Sequence, residues 1–142
     1  MPGVRLCSLQ KEQRPADAAA IAGLGSSFID LAPRLGDFAD TAAAVAALDL
    51  VISVDTAVAH LAGAMGRPVW VLLPHAQDWR WLRDREDTPW YPSMRLFRQR
   101  APQAWADVVS RASTDLARVV DGDHGLLGPR GANSEGIGGN AT

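Results

Sequence analysis

The sequence predicts an α/β domain in which a parallel sheet is flanked by helices. Three observations carry that reading. Short apolar runs alternate with Ala-rich segments in the order strand, helix, strand, helix, strand, which calls for right-handed crossovers between parallel strands. The runs at 50–54 and 68–73 are continuously apolar rather than alternating, as expected of strands covered on both faces. The 142 residues suit one domain, and 47% hydrophobic against 21% charged residues is the composition of a folded chain with a core.

Taken in order, residues 4–9 (VRLCSL) form a first strand, and residues 15–22 form an Ala-rich helix ended by Gly23 and Gly25. Residues 28–31 (FIDL) read as a second strand. Pro33 and Gly36 then punctuate the chain, and Asp37 offers an N-cap, with Asp40 in the first turn near the positive end of the helix dipole. The helix that follows carries Phe38, Ala42, Val45 and Leu48 on one apolar face. A strand over 50–54 leads into a helix from Thr56 to Met65, which Gly66 stops. After the strand at 68–73, residues 74–93 form a long polar and aromatic connection. Its Trp79, Trp81, Trp90 and Tyr91 are read as packing residues that pin the loop to the domain. A strand at 94–97 and an amphipathic helix over 103–120 close a Rossmann-like domain spanning 1–120. Residues 121–142 are rich in Gly and small polar residues and are expected to form a disordered tail.

Composition narrows the function. The single cysteine, Cys7, leaves no internal disulfide, and neither His75 nor His124 has a Cys or His at ligand spacing, so no metal site is predicted. Fourteen basic against sixteen acidic residues give a net charge of −2, without the basic footprint of a nucleic-acid binder. No apolar run is long enough to span a membrane and the N-terminus lacks a signal-peptide pattern, so the expected location is cytoplasmic.

Ligands of open parallel sheets bind beyond the carboxyl ends of the strands, where helix N-termini converge. Ser53 to Ala57 lie at such a place. The amides of Thr56, Ala57 and Val58 lack intrahelical partners and, with the helix dipole, offer a phosphate site to which Thr56 adds a hydroxyl donor. His60 follows Thr56 by four residues on the same helix face, about 6 Å along the axis, within reach of a phosphate or of the Asp55 loop. Asp55 would repel a phosphate, and its natural partners are sugar hydroxyls. An anion site beside a hydroxyl acceptor points to a nucleotide-sugar. Lys11, after the first strand and the one lysine beside thirteen arginines, projects to the same edge, where it could neutralise a departing diphosphate. The loop 35–41, at another helix N-terminus and carrying Asp40 and Thr41, could contact the base and ribose.

The run DFADTAAAVAALDLVISVDTAVAHLAGAMGRPVWVLLP, continued by DWRWL and DTPWYPSMRLFRQ, closely resembles the C-terminal part of bacterial GT-B glycosyltransferases of the heptosyltransferase-like family, the family 9 type. The likeness is greatest to forms joined to tetratricopeptide repeats, and it covers residues 4–120. It implies one half of a GT-B fold, the half that binds the nucleotide-diphosphate sugar, with no cofactor and no metal. Asp55, Thr56 and His60 match the family's D-T-x-x-x-H segment, which meets the donor's diphosphate and sugar. Ala57 stands where members usually carry Gly, keeping the amide but crowding the ligand slightly. The resemblance also implies an acceptor half, normally N-terminal, that supplies the catalytic base; with this chain starting at the donor half, the expected partners are that half or a tetratricopeptide-repeat region.

On this reading Asp55, Thr56, Ala57, Asp40 and Thr41 bind the donor, while Lys11 and His60 assist the departing nucleotide as catalytic residues. The competing reading is a non-catalytic remnant or protein-interaction module that retains the fold. A dinucleotide oxidoreductase is set aside, because no G-x-G-x-x-G follows the first strand.

Overall fold

A computed structural model describes residues 1–76, 78–83 and 85–129. Five strands and four α-helices follow one another as β1 (Leu6–Ser8), α1 (Ala18–Ala22), β2 (Phe28–Asp30), α2 (Phe38–Ala47), β3 (Val51–Val54), α3 (Ala57–Ala64), β4 (Val69–Leu73), β5 (Met94–Arg98) and α4 (Trp105–Val120). Every strand pairing is parallel, and the architecture is Rossmann-like, as expected of one half of a GT-B fold. The sheet is in two hydrogen-bonded pieces, a β1–β2 pair and a β3–β4–β5 sheet.

Local chemistry explains the element boundaries. Asp37 accepts from the amides of Ala39 and Asp40, while the Asp40 carboxylate accepts from the Asp37 amide, a reciprocal capping box that starts α2. Gly66 adopts φ of +67° after α3, and the amides of Gly66 and Arg67 turn back to the carbonyls of Gly63 and Ala62. That left-handed stop is cheapest for glycine.

Two apolar clusters hold the three-stranded sheet. On one face Val51, Val69, Val71, Leu73, Met94 and Leu96 meet Val45 of α2 and Ala59 and Ala62 of α3. The small α3 residues let the helix lie close to the strands. On the other face Trp70 and Phe97 meet Val108 and Ala112 of α4. Arg95 is buried there at 2% exposure, bonded to Asp115 at 2.6 Å and lying over the Trp70 and Phe97 rings. A buried cation needs such compensation, since an isolated one is too costly to desolvate.

Three features depart from the sequence reading. The strand expected to be covered on both faces, β3, buries only Val51; Ile52 and Val54 are 42% and 46% exposed. Ile52 is in register with Trp70 and so faces the α4 side, but β3 lies one strand beyond the cover that α4 gives to β4 and β5. Phe38, assigned to the apolar face of α2, is 63% exposed in its first turn. The third departure lies in the expected tail. A 3-10 turn at His124–Leu127 buries Leu126, and the carbonyl of Leu126 accepts from both the Trp70 indole and Arg95, so residues 121–129 carry a docked segment. The rest of that expectation lies outside the described residues.

Several arginines donate to main-chain carbonyls. Arg67 donates to Leu48, Arg111 to Arg98, and Arg98 to both Arg85, at 2.9 Å, and Trp81. Through Arg98 the last strand holds the connection that crosses from β4 to β5. Among the described residues that crossover carries no α-helix, only a 3-10 turn at Trp79–Trp81.

Candidate functional site

Asp55 leaves the carboxyl end of β3 and Thr56 caps α3 with an extended backbone. The Thr56 side chain makes no capping bond; its hydroxyl lies 2.9 Å from Ser53 Oγ. Among the described residues no side chain is seen to accept from the first-turn amides of α3, and the positive end of the helix faces the edge where ligands of parallel sheets bind. An anion is the natural complement to that arrangement.

Asp55 is tied on both oxygens. Oδ1 lies 3.3 Å from His60 Nε2, and Oδ2 accepts from the Trp81 indole N–H at 2.8 Å. His60 Nδ1 in turn lies 3.2 Å from the Tyr91 hydroxyl. The side chains of Asp55 and His60 are 29% and 33% exposed, so the pair is open to a ligand on one side. Each carboxylate oxygen keeps acceptor capacity after these bonds.

The sequence placed Asp55, Thr56, Ala57 and His60 together, and they are together. His60 braces the Asp55 carboxylate. Lys11 donates from Nζ to the Gly36 carbonyl at 2.9 Å, so it joins the loop after β1 to the entrance of α2. Asp40 and Thr41, assigned to base and ribose, serve α2 itself. The Asp40 carboxylate accepts from the amides of Gly36 and Asp37, and Thr41, 8% exposed, donates to the Asp37 carbonyl. A helix start already supplied with two carboxylates has no demand for an anionic ligand, which separates it from the start of α3.

Trp81 and Tyr91, which the sequence reading gave to packing alone, bond to Asp55 and His60. Their loop is firmly held: Asp78 accepts from the Arg80 amide, Trp90 donates its indole N–H to the Arg80 carbonyl, and Arg98 grips the Trp81 carbonyl. Leu82 then takes φ of +54°, a conformation that costs a non-glycine residue about 1–3 kcal/mol and persists where surrounding bonds impose it. The Arg80 guanidinium holds the Asp78 carboxyl below its ordinary value through a two-pronged hydrogen bond. Arg80 is raised in turn, mainly by Asp78, with a smaller contribution from Asp55. Trp79, on the outer side of the loop, is 75% exposed. Among the described residues no group of three or more His, Cys, Asp or Glu is placed to hold a metal ion.

Residues 2–111 match the family described as glycosyltransferase family 9 (heptosyltransferase), and the chain belongs to that family. It is also similar to Protein FlbA of Caulobacter vibrioides, 41% identical over 80 residues, which cover 56% of this chain and 13% of that protein. The chain thus spans a small part of the length of this relative. No solved structure matches it.

Proposed function

We infer that this chain is the donor-binding half of a glycosyltransferase and transfers a sugar from a nucleotide-diphosphate sugar to an acceptor hydroxyl when an acceptor half completes the site. The observation that carries the reading is the start of α3, where main-chain amides are left without a side-chain cap beside a carboxylate held ready for hydroxyls. The diphosphate rests on the amides of Thr56, Ala57 and Val58. Asp55 accepts from sugar hydroxyls, and His60 orients it.

In the transfer the bond from the anomeric carbon to the diphosphate oxygen breaks, and its electron pair leaves with the nucleotide. A bond forms to the acceptor oxygen, whose proton passes to a base on the acceptor half. The α3 dipole stabilises the leaving diphosphate, and Lys11 adds a positive charge on release from Gly36; the reading assigns no cofactor or metal. It places the partner acceptor half, or a tetratricopeptide-repeat region, outside this chain, and the site in the cytoplasm. Among the described residues no helix is long and apolar enough to cross a membrane.

Calorimetric titration with ADP, UDP, GDP and their sugars tests the reading. One nucleotide should bind saturably. Asp55→Asn, which cannot accept from both His60 and Trp81, should weaken its sugar form roughly tenfold while sparing the bare diphosphate. Thr56→Val should weaken both. No binding to a folded chain would defeat the proposal and favour an interaction module, the reading to which the exposed Ile52 and Val54 of β3 lend support.

A further inference from the structure

Helix α3 carries a glycine, Gly63, in its last turn. Gly63 is buried, and a Cβ there would lie 2.7 Å from the Tyr91 ring. The missing side chain thus admits Tyr91 against the helix, one turn beyond His60. Its hydroxyl reaches His60 Nδ1 and its ring meets the imidazole edge-on at 5.7 Å. From the other side Trp81, 1% exposed, stacks on His60 with centroids 5.3 Å apart and planes 25° apart, and gives its N–H to Asp55.

We propose that Trp81 and Tyr91 are positioning residues that set the Asp55 carboxylate and the His60 ring before any ligand arrives. A carboxylate has no proton to offer, so the hydrogen between Asp55 and His60 resides on Nε2. Neutral imidazole carries one ring hydrogen, which leaves the Nδ1 lone pair to accept from the Tyr91 hydroxyl. Asp55 therefore sets the Nε2–H tautomer, and the Tyr91 hydroxyl donates to the Nδ1 that this tautomer leaves free, so the ring is held at both nitrogens. Trp81 supplies the matching donor to Oδ2, so both carboxylate oxygens are fixed and their remaining lone pairs point outward. Packing alone explains the stacked ring; it does not explain an indole nitrogen aimed at a carboxylate or a hydroxyl aimed at an imidazole nitrogen. The tautomer half of this proposal stands by itself, and the sugar half rests on the donor-site reading.

The experiment uses the whole chain in three forms: wild type, Tyr91→Phe and Trp81→Phe. Tyr91→Phe keeps the ring beside Gly63 and removes only the hydroxyl. Long-range proton–nitrogen spectra of His60 should show Nε2–H in both the wild type and Tyr91→Phe, with the Nδ1 resonance shifted in Tyr91→Phe to that of a nitrogen that accepts no hydrogen bond. Calorimetry with ADP, UDP and GDP and their sugars should show Trp81→Phe weakening the sugar form about 3- to 10-fold while the diphosphate alone binds as before. An Nδ1–H tautomer in the wild type, or spectra unchanged in Tyr91→Phe, would overturn the proposal. Equal weakening of sugar and diphosphate in Trp81→Phe would reduce Trp81 to packing and overturn its part. Should the folded wild type bind no nucleotide-sugar, the donor-site reading fails, and the His60 spectra alone decide the positioning role.

Discussion

The chain before Leu35 and the chain after it are built differently. No residue before Leu35 is buried: β1 and β2 are three residues each, and α1 covers nothing completely. After Leu35 two apolar clusters enclose β4, four of whose five residues are buried. Parallel strands depend on cover from both faces, because their pairing alone is weak and their residues are apolar. Asp55 and His60 grow from the packed part, whereas Lys11 grows from the thin part and reaches α2 by one exposed bond. Asp55 and His60 thus stand on the well-covered region and Lys11 on the thinly covered one.

The sharpest way to break this contrast is to hollow out the packed side. Trp70→Ala removes a fully buried ring and the donor that holds Leu126 and Leu127, and should cost about 3–5 kcal/mol in denaturant unfolding. Gly63→Ala comes next, at about 1–3 kcal/mol, because the added methyl meets Tyr91 and Met94 in a full interior. On the thin side Leu6→Ala, with the parent side chain 43% exposed, should change stability by less than about 0.5 kcal/mol. Amides of β1 and β2 should exchange through local opening, roughly 100-fold or more faster than those of β4. Exchange of both sheets at one rate would erase the contrast.

Acid should have the smallest effect. Asp78 and Asp107 are held below the ordinary aspartate value by hydrogen bonds from Arg80 and Arg111. A depressed folded value contributes stability that is fully present above the unfolded value and is lost as pH falls through the folded one. The unfolding midpoint should therefore be flat in this respect from neutral pH to about pH 4 and decline only below it, weakly, since both pairs face solvent.

Local features were the legible ones. The Asp37 and Asp40 pattern announced the start of α2, Gly66 the end of α3, and Asp55-Thr56 the edge of the sheet where a ligand belongs. What escaped depends on distant partners. Ile52 looks like core, and its exposure follows from how far α4 reaches across the sheet. Trp81 and Tyr91 lie 26 residues from Asp55 and 31 from His60, so only the path of the loop reveals their polar bonds. Asp40 and Thr41 were read as contacts for base and ribose because they stand at a helix start, and the hydrogen bonds they make to their own helix and its entrance were not part of that reading. The segment around Leu126 has a tail's composition, and it docks because Trp70 and Arg95 need an acceptor there.

The arginines that close on main-chain carbonyls give the lopsided basic composition a meaning. A guanidinium is a rigid planar fork, and Arg98 uses it to grasp two carbonyls of the loop that presents Trp81. Recoding that position as lysine would preserve net charge, pI and hydropathy class, yet a single ammonium on a flexible stem cannot span the same two oxygens. Two chains indistinguishable by any bulk index would then differ in whether an indole hydrogen points at Asp55. Charge-conserving substitution, the usual conservative choice on a protein surface, is here a change of shape.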